Sequence, residues 1–280
     1  MIMSDMHMHG NYSDGVGKLS DFACSAEEKG VLSVGFSDHS PIPVENTWSM
    51  KLSSLNAYIS EANEIKKSGL HSIDIFTGLE LDYMEDVDVC RYIGFEELPL
   101  DFFLGSVHYV YSRRLGKHME VDGTSDEFLY LVEEGFEGDA GKVFGTYYNS
   151  VRKMIREYRP KIAAHLDLVS KNNANHRFFD ESSENYLIEV EKTLEVIKEA
   201  GVIVEVNAGG MSRGYMTTPY PSGKILERCR EKGIRIALNS DAHKPEDIAH
   251  GFEDIMKKIR SIGFREIMAF KKGEWTAFKL

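Results

Sequence analysis

Short apolar runs alternate along this chain with longer stretches in which apolar residues recur every three or four positions. The runs are Ile2–Met6, Leu32–Phe36, Ile73–Leu79, Phe102–Val107, Ile162–Ala164, Val202–Val206 and Ile234–Leu238, and their length and composition read as strands. Between them, "SDFACSAEEKG", "SSLNAYISEANEIKKSG", "SENYLIEVEKTLEVIKEAG" and "SGKILERCREKG" carry helical periodicity, each closing on a glycine able to take the left-handed cap. Strand followed by helix, repeated, predicts an α/β protein with a parallel sheet. Seven such units, a last helix around Pro245–Ile262 and strand-like segments at Glu266–Phe270 and Trp275–Phe278 fit a closed or nearly closed barrel better than an open sheet. No linker divides the chain, so residues 1–280 are read as one domain, with Tyr109–Tyr158 as a helical insertion over the barrel mouth.

Composition narrows the classes of function. At 280 residues and 42% hydrophobic content the chain can bury a full core. No apolar run approaches the ~20 residues needed to cross a bilayer, and "MIMSDMH" lacks a basic region followed by an apolar one. A cytoplasmic protein with no membrane partner is expected. Cys24, Cys90 and Cys229 lie far apart with no Cys-x-x-Cys spacing, which speaks against a thiolate metal site or a disulfide framework. A formal net charge of −12 repels polyanions, so no nucleic-acid partner is expected. A small anion gathered by cations escapes that objection. The sequence leaves a homodimer open.

The chemistry-bearing residues stand just past the strand ends. His7 and His9 sit at the end of the first, where alternation sends both side chains one way and Met6 and Met8 the other, with Asp14 in the next turn. Asp38 and His39 come after the second strand, Glu80 after the third, His108 after the fourth, His165 after the fifth, Asn207 after the sixth, and Asp241 and His243 after the seventh. In a parallel barrel the C-terminal strand ends converge on one face, so residues spread over the whole chain meet in one site. Any one histidine alone is more often structural. Six of the ten stand at strand ends, and His71, His118, His176 and His250 do not. Nine nitrogen and oxygen donors exceed one tetrahedral ion, so two or three divalent transition metals are expected, of which Zn, Fe and Mn all suit imidazole with carboxylate.

The motifs "HMHGNYSDG", "FSDHS", "GLELD", "GSVHYV", "AHLDL" and "NSDAH" resemble those of the PHP (polymerase and histidinol phosphatase) superfamily, in order and over nearly the whole chain. "LGSVHYV" with "VDGTSDEF", "YYNSVRKMI" and "EVNAGG" after it most resembles the histidinol-phosphate phosphatase branch. The resemblance implies a distorted seven-stranded βα barrel, TIM-like, with a trinuclear site. His7, His9, Glu80 and Asp241 would hold one metal; Glu80 would bridge to a second bound by His108 and His165; Asp14, His39 and His243 would hold the third. Many superfamily members carry His where this chain has Asp14. The phosphate-side arginine sought after "AHLDL" is represented by Lys171.

The implied reaction is hydrolysis of a small phosphomonoester, L-histidinol phosphate, in histidine biosynthesis. A metal-bridging hydroxide would attack in line, and Glu80, Asp241, His243 and Asp14 would form the catalytic set. Arg213 in "GGMSRG" is the candidate bidentate clamp on the phosphate, with Lys171 beside it. Asp38 is read as orienting a ligand imidazole through its free ring nitrogen. Alternatives stay open: a PHP-type exonuclease, another small-phosphoester phosphatase, a metal-dependent amidohydrolase and a non-catalytic metal module. The acidic balance counts against the first. His108 stands where amidohydrolase chemistry usually asks for a bridging lysine.

Overall fold

The computed structural model describes residues 2–280. Its strands are β1 (Ser33–Phe36), β2 (Asp74–Thr77), β3 (Glu80–Asp82), β4 (Leu104–Ser106), β5 (Tyr109–Ser112), β6 (Lys117–Glu120), β7 (Ile162–Ala163), β8 (Ile203–Asn207), β9 (Ile236–Asn239), β10 (Glu266–Lys271) and β11 (Glu274–Lys279). β3, β4, β7, β8 and β9 pair in parallel in that order, and β1 pairs in parallel with β2. Six of the seven expected strands are present, shifted by a few residues, while the first, Ile2–Met6, forms only isolated bridges. The α/β expectation holds, with helices such as Leu55–Ser68, Glu184–Ala200 and Gly223–Lys232 each ending on a glycine with φ of 64°, 66° and 68°.

Residues 2–8 complete the ring through isolated bridges. Gly35 N donates to Asp5 O and Ser37 N to Met8 O on one side, and His9 N donates to Ala242 O on the other. The closure is uneven, because at the N-terminal end of the ring β10 pairs with β9 and Phe270 N donates to Ser4 Oγ. There Met6 N is met by the side chain of Asn239 at 2.9 Å instead of a backbone carbonyl. Alternation therefore breaks at this point. Met6 enters the barrel interior with Phe76, Phe102, Leu104, Ile162 and Ile203, whereas Met8 packs into the outer layer with Leu19 and Phe22. Gly35 and Gly78 make room for this interior plug, since a Cβ on either would lie 2.5 Å from the Phe102 ring.

The segment 109–158 departs from a simple helical insertion. It begins with the antiparallel hairpin β5–β6, turned at Gly116 with φ of 63°. Its long helix, Ala140–Tyr158, is a layer of the barrel itself. Val143, Tyr147, Val151, Met154 and Ile155 recur at helical spacing on its buried face. Against the next helix, Tyr148 meets Tyr186 at 2.9 Å and Arg152 pairs with Glu189 at 2.8 Å. The two strand-like segments expected at the C-terminal end are β10 and β11, which pair antiparallel as a hairpin.

Asp5 ties the first segment to the last strand–helix unit. Its carboxylate is fully buried and accepts from Ser240 N at 2.9 Å and Ala249 N at 3.1 Å. Burial, only partly offset by those donors, pushes its pKa up to about 6. The unfolded carboxyl titrates near ~4, so between pH 4 and 6 the native state keeps a proton that the unfolded state has lost. The stability contributed by Asp5 therefore falls as pH rises through that window. Urea unfolding of the parent and Asp5→Asn at pH 4 and pH 7 should show the difference moving in favour of the variant by roughly 2 kcal/mol. A pH-independent difference would remove this assignment.

Candidate active site

Nine sequence-predicted ligands converge at the C-terminal ends of the strands. His7 and His9 end the first segment, His39 comes after β1, Glu80 opens β3, and His108, His165 and Asp241 each stand two residues beyond β4, β7 and β9. His165 and Asp241 have left-handed backbone, with φ of 21° and 50°. A side chain with a Cβ adopts that conformation only when its surroundings enforce it, so strain is stored at two of the converging positions. Donor atoms fall into overlapping groups whose members lie within 4.8 Å of one another: His7, His9 and Asp241; His7, Glu80 and His165; His39, Glu80 and His108; and His9, Asp14, His39 and His243.

Glu80 is common to two of these groups and is 1% exposed. Its Oε1 accepts from His165 Nε2 at 2.8 Å and lies 3.6 Å from His108 Nε2. Its Oε2 is 2.7 Å from His39 Nδ1, 3.3 Å from His7 Nε2 and 3.6 Å from His9 Nε2. These Oε2 approaches are close but off hydrogen-bonding direction, and Oε2 is left without a hydrogen-bond partner. The same is true of His7 Nε2, both ring nitrogens of His9 and His165 Nδ1. Buried polar atoms are ordinarily satisfied. Nitrogen and carboxylate oxygen atoms crowded together in a closed pocket without hydrogen-bond partners are what a cation-binding box offers, so these residues fit divalent metals.

The electrostatics agree. Burial pushes Glu80 toward neutrality, but the imidazoles of His39, His7 and His108 outweigh it and hold its carboxyl well below the usual range. Burial likewise opposes charge on His108, yet Asp82 and Glu80 raise it to about 10. His39 is raised against its burial by Glu80 and Asp14. His9 is held well below the ordinary value by burial and by His39 and His243, so its ring is neutral. The box calls for positive charge.

Two supporting carboxylates were not singled out in the sequence. Glu205, fully buried on β8, accepts from His7 Nδ1 at 2.8 Å, His165 N at 2.9 Å, and the side-chain amides of Asn207 and Asn239 at 2.8 Å. It thus turns His7 Nε2 toward the cluster. Asp82 does the same for His108, whose Nδ1 it meets at 3.2 Å. The signal was present: a charged residue inside the apolar run "VIVEV", and one two places after Glu80 on the same strand face. Asp38, expected to orient an imidazole, instead accepts from Gly10 N, Ser13 N and Ser13 Oγ at 2.7 to 3.1 Å. It pins the loop that delivers Asp14.

The cluster opens into a cleft of about 230 Å³, walled by Trp48, Glu120, Asp122, Lys171, Arg213 and Tyr215. Arg213 donates to Asp241 O at 2.9 Å, Asp241 Oδ2 at 3.0 Å and His243 Nδ1 at 2.7 Å. Lys171 donates to Asp122 O and lies 4.8 Å from the Tyr215 ring centre. A wider groove of about 1190 Å³ lies at the opposite end of the strands, and none of the clustered residues lines it. The converging donors, not the larger volume, mark the site.

The geometry has counterparts among known proteins. The "probable histidinol-phosphatase" of Deinococcus radiodurans is 27% identical over 270 residues, covering 95% of each chain. The histidinol-phosphatase of Bacillus subtilis is 27% identical over 252 residues, 86% of this chain and 92% of its own. The histidinol phosphate phosphatase of Lactococcus lactis, solved with zinc, L-histidinol and phosphate, shares this fold with a TM-score of 0.72 at 18% identity over 98% of both chains. The PHP domain family model matches residues 5–209. That span takes in seven of the nine converging residues, His7 through His165, and with its strand order and its buried imidazole–carboxylate box this chain belongs to the PHP domain family.

Proposed function

We propose that this protein is a metal-dependent phosphomonoester hydrolase that converts L-histidinol phosphate and water to L-histidinol and phosphate, a step of histidine biosynthesis. One observation carries the reading: Glu80, fully desolvated, stands among His7, His9, His39, His108 and His165, with its Oε2 and the facing His7 Nε2 and His9 Nε2 left without hydrogen-bond partners. The near-full-length resemblance to histidinol-phosphatases supports the choice of substrate. A cytoplasmic location goes with that role.

The ligand set is His7, His9, Glu80 and Asp241 for one ion, Glu80, His108 and His165 for a second, and Asp14, His39 and His243 for a third. Ions held there acidify water and neutralise charge on phosphoryl oxygens. Glu205 and Asp82 fix the ring nitrogens that His7 and His108 offer to the cluster. Arg213 and Lys171 stand in the wall of the same cleft, within reach of a phosphate placed over the cluster. Asp241 Oδ1 faces His9 Nε2 at 3.1 Å, while its Oδ2 is held by Arg213. The carboxylate thereby links the buried cluster to the phosphate side.

Two measurements test this. Titration of Zn²⁺ into chelator-stripped protein should show more than one ion per chain with protons released. His108, raised to about 10 by Asp82 and Glu80, holds a proton that bound metal must displace, so affinity should fall as pH is lowered from 8 to 6. Glu80→Gln should remove at least one ion or weaken it by about tenfold or more. One ion or none in folded, metal-supplied protein would refute the cluster. For the substrate, loaded enzyme should release phosphate from histidinol phosphate at least ~100-fold faster than it degrades single-stranded DNA, a preference worth about 2.7 kcal/mol at the transition state. The reverse ranking would favour the exonuclease alternative.

A further inference from the structure

His243 Nδ1 has two neighbours that make opposite demands on it. Arg213 Nη1 lies 2.7 Å away, and the backbone carbonyl of Asp241 lies 3.1 Å away. A guanidinium only donates hydrogen bonds, and a carbonyl oxygen only accepts them. One ring nitrogen cannot serve both. With Arg213 donating, Nδ1 supplies its lone pair, and the neutral ring carries its hydrogen on Nε2. That nitrogen faces Asp14 Oδ2 at 3.3 Å, inside the group formed by His9, Asp14, His39 and His243. A cation bound by Nε2 needs the lone pair there, so the hydrogen must sit on Nδ1, where the Asp241 carbonyl is already in place to accept it.

We propose that Arg213 and a cation in this outer group are mutually exclusive partners of His243, exchanged by a change of imidazole tautomer. The exchange rests on the reading that cations occupy the cluster. Nε2 gives its proton to solvent and Nδ1 takes one up, so the ring stays neutral and no net proton is released by this step. With an N–H now facing it, Arg213 Nη1 loses one of its two acceptors, keeping Asp241 O at 2.9 Å, while Nη2 keeps Asp241 Oδ2 at 3.0 Å. One N–H of Nη1 is thereby released toward the cleft. Filling the outer group therefore prepares Arg213 for a phosphate, and by linkage phosphate tightens the outer cation. The location suits an exchangeable ion, because Asp14 is exposed and His243 half-buried while the residues around Glu80 are closed to solvent. Arg213 acts here as a positioning residue for the outer group as well as a contact for substrate.

Calorimetric titration of Zn²⁺ into stripped parent, Arg213→Ala and Lys171→Met separates this from a simple charge effect, since Lys171 is a cation of the same cleft that does not touch His243. The weakest ion should bind about tenfold more tightly to Arg213→Ala, as the competing donor is gone, and within about twofold of the parent in Lys171→Met. Added inorganic phosphate should tighten that ion in the parent and do so much less in Arg213→Ala. Nitrogen-15 spectra, with the His243 ring identified by its loss in His243→Gln, should show hydrogen on Nε2 in stripped parent and on Nδ1 after loading. Equal gains in both variants, no gain in Arg213→Ala, or an Nδ1–H ring before loading would overturn the exchange while leaving the metal reading intact. A parent that binds no second or third ion would overturn both.

Discussion

A carboxylate at the centre of a ring of imidazoles, with water excluded, is the constraint around which this molecule is arranged. Glu80 is fully desolvated, and an isolated buried charge is so unfavourable that it must be matched or neutralised. The imidazoles of His39, His7 and His108 match it, and His9 and His165 complete the ring around it. With Glu80 itself these residues come from five separate strand ends, so the charge can be matched only if the barrel closes in register. In the other direction, the strained backbone at His165 and Asp241 persists only because the barrel holds it. Fold and site stabilise each other.

The support extends well behind the converging atoms. Glu205 joins the first segment, β7, β8 and β9 through four hydrogen bonds, and Asn239 in turn receives Met6 N where the strand ladder fails. A polar network of this kind is favourable only when every member is satisfied. Here Glu205 satisfies His7 Nδ1 on the supporting side, while His7 Nε2 and Glu80 Oε2 face each other in the cluster without hydrogen bonds. The lower half of the barrel is sealed by Met6, Phe76, Phe102 and Phe270, which leaves the cleft at the strand ends as the approach to the cluster.

Much of this was legible in the sequence because strand ends are set by local pattern. His7 and His9 after an apolar run, and His108 and His165 two residues past their strands, needed only the rule that parallel strand ends share a face. Glu205 and Asp82 were missed because their task is defined by what lies across the barrel, and no local period reports that. Asp38 was misread for the same reason: beside His39 in sequence, it spends its oxygens on the backbone of the loop before Asp14. The hairpin of β5 and β6 was hidden in a stretch whose glycines and glutamates suggested a helical excursion. The long helix after it proved to be an ordinary barrel layer, as the spacing of Val143, Tyr147, Val151 and Met154 records.

Cations gathered about Glu80 are the one thing the site cannot do without. Anomalous diffraction from crystals of metal-loaded protein, collected on either side of the zinc or manganese edge, locates such ions without reference to activity. Two or three separate peaks are predicted, each touching at least three of the nine converging residues and at least one touching Glu80. An empty cluster, or a lone peak that leaves Glu80 uncoordinated in protein whose remaining fold is unchanged, would contradict it.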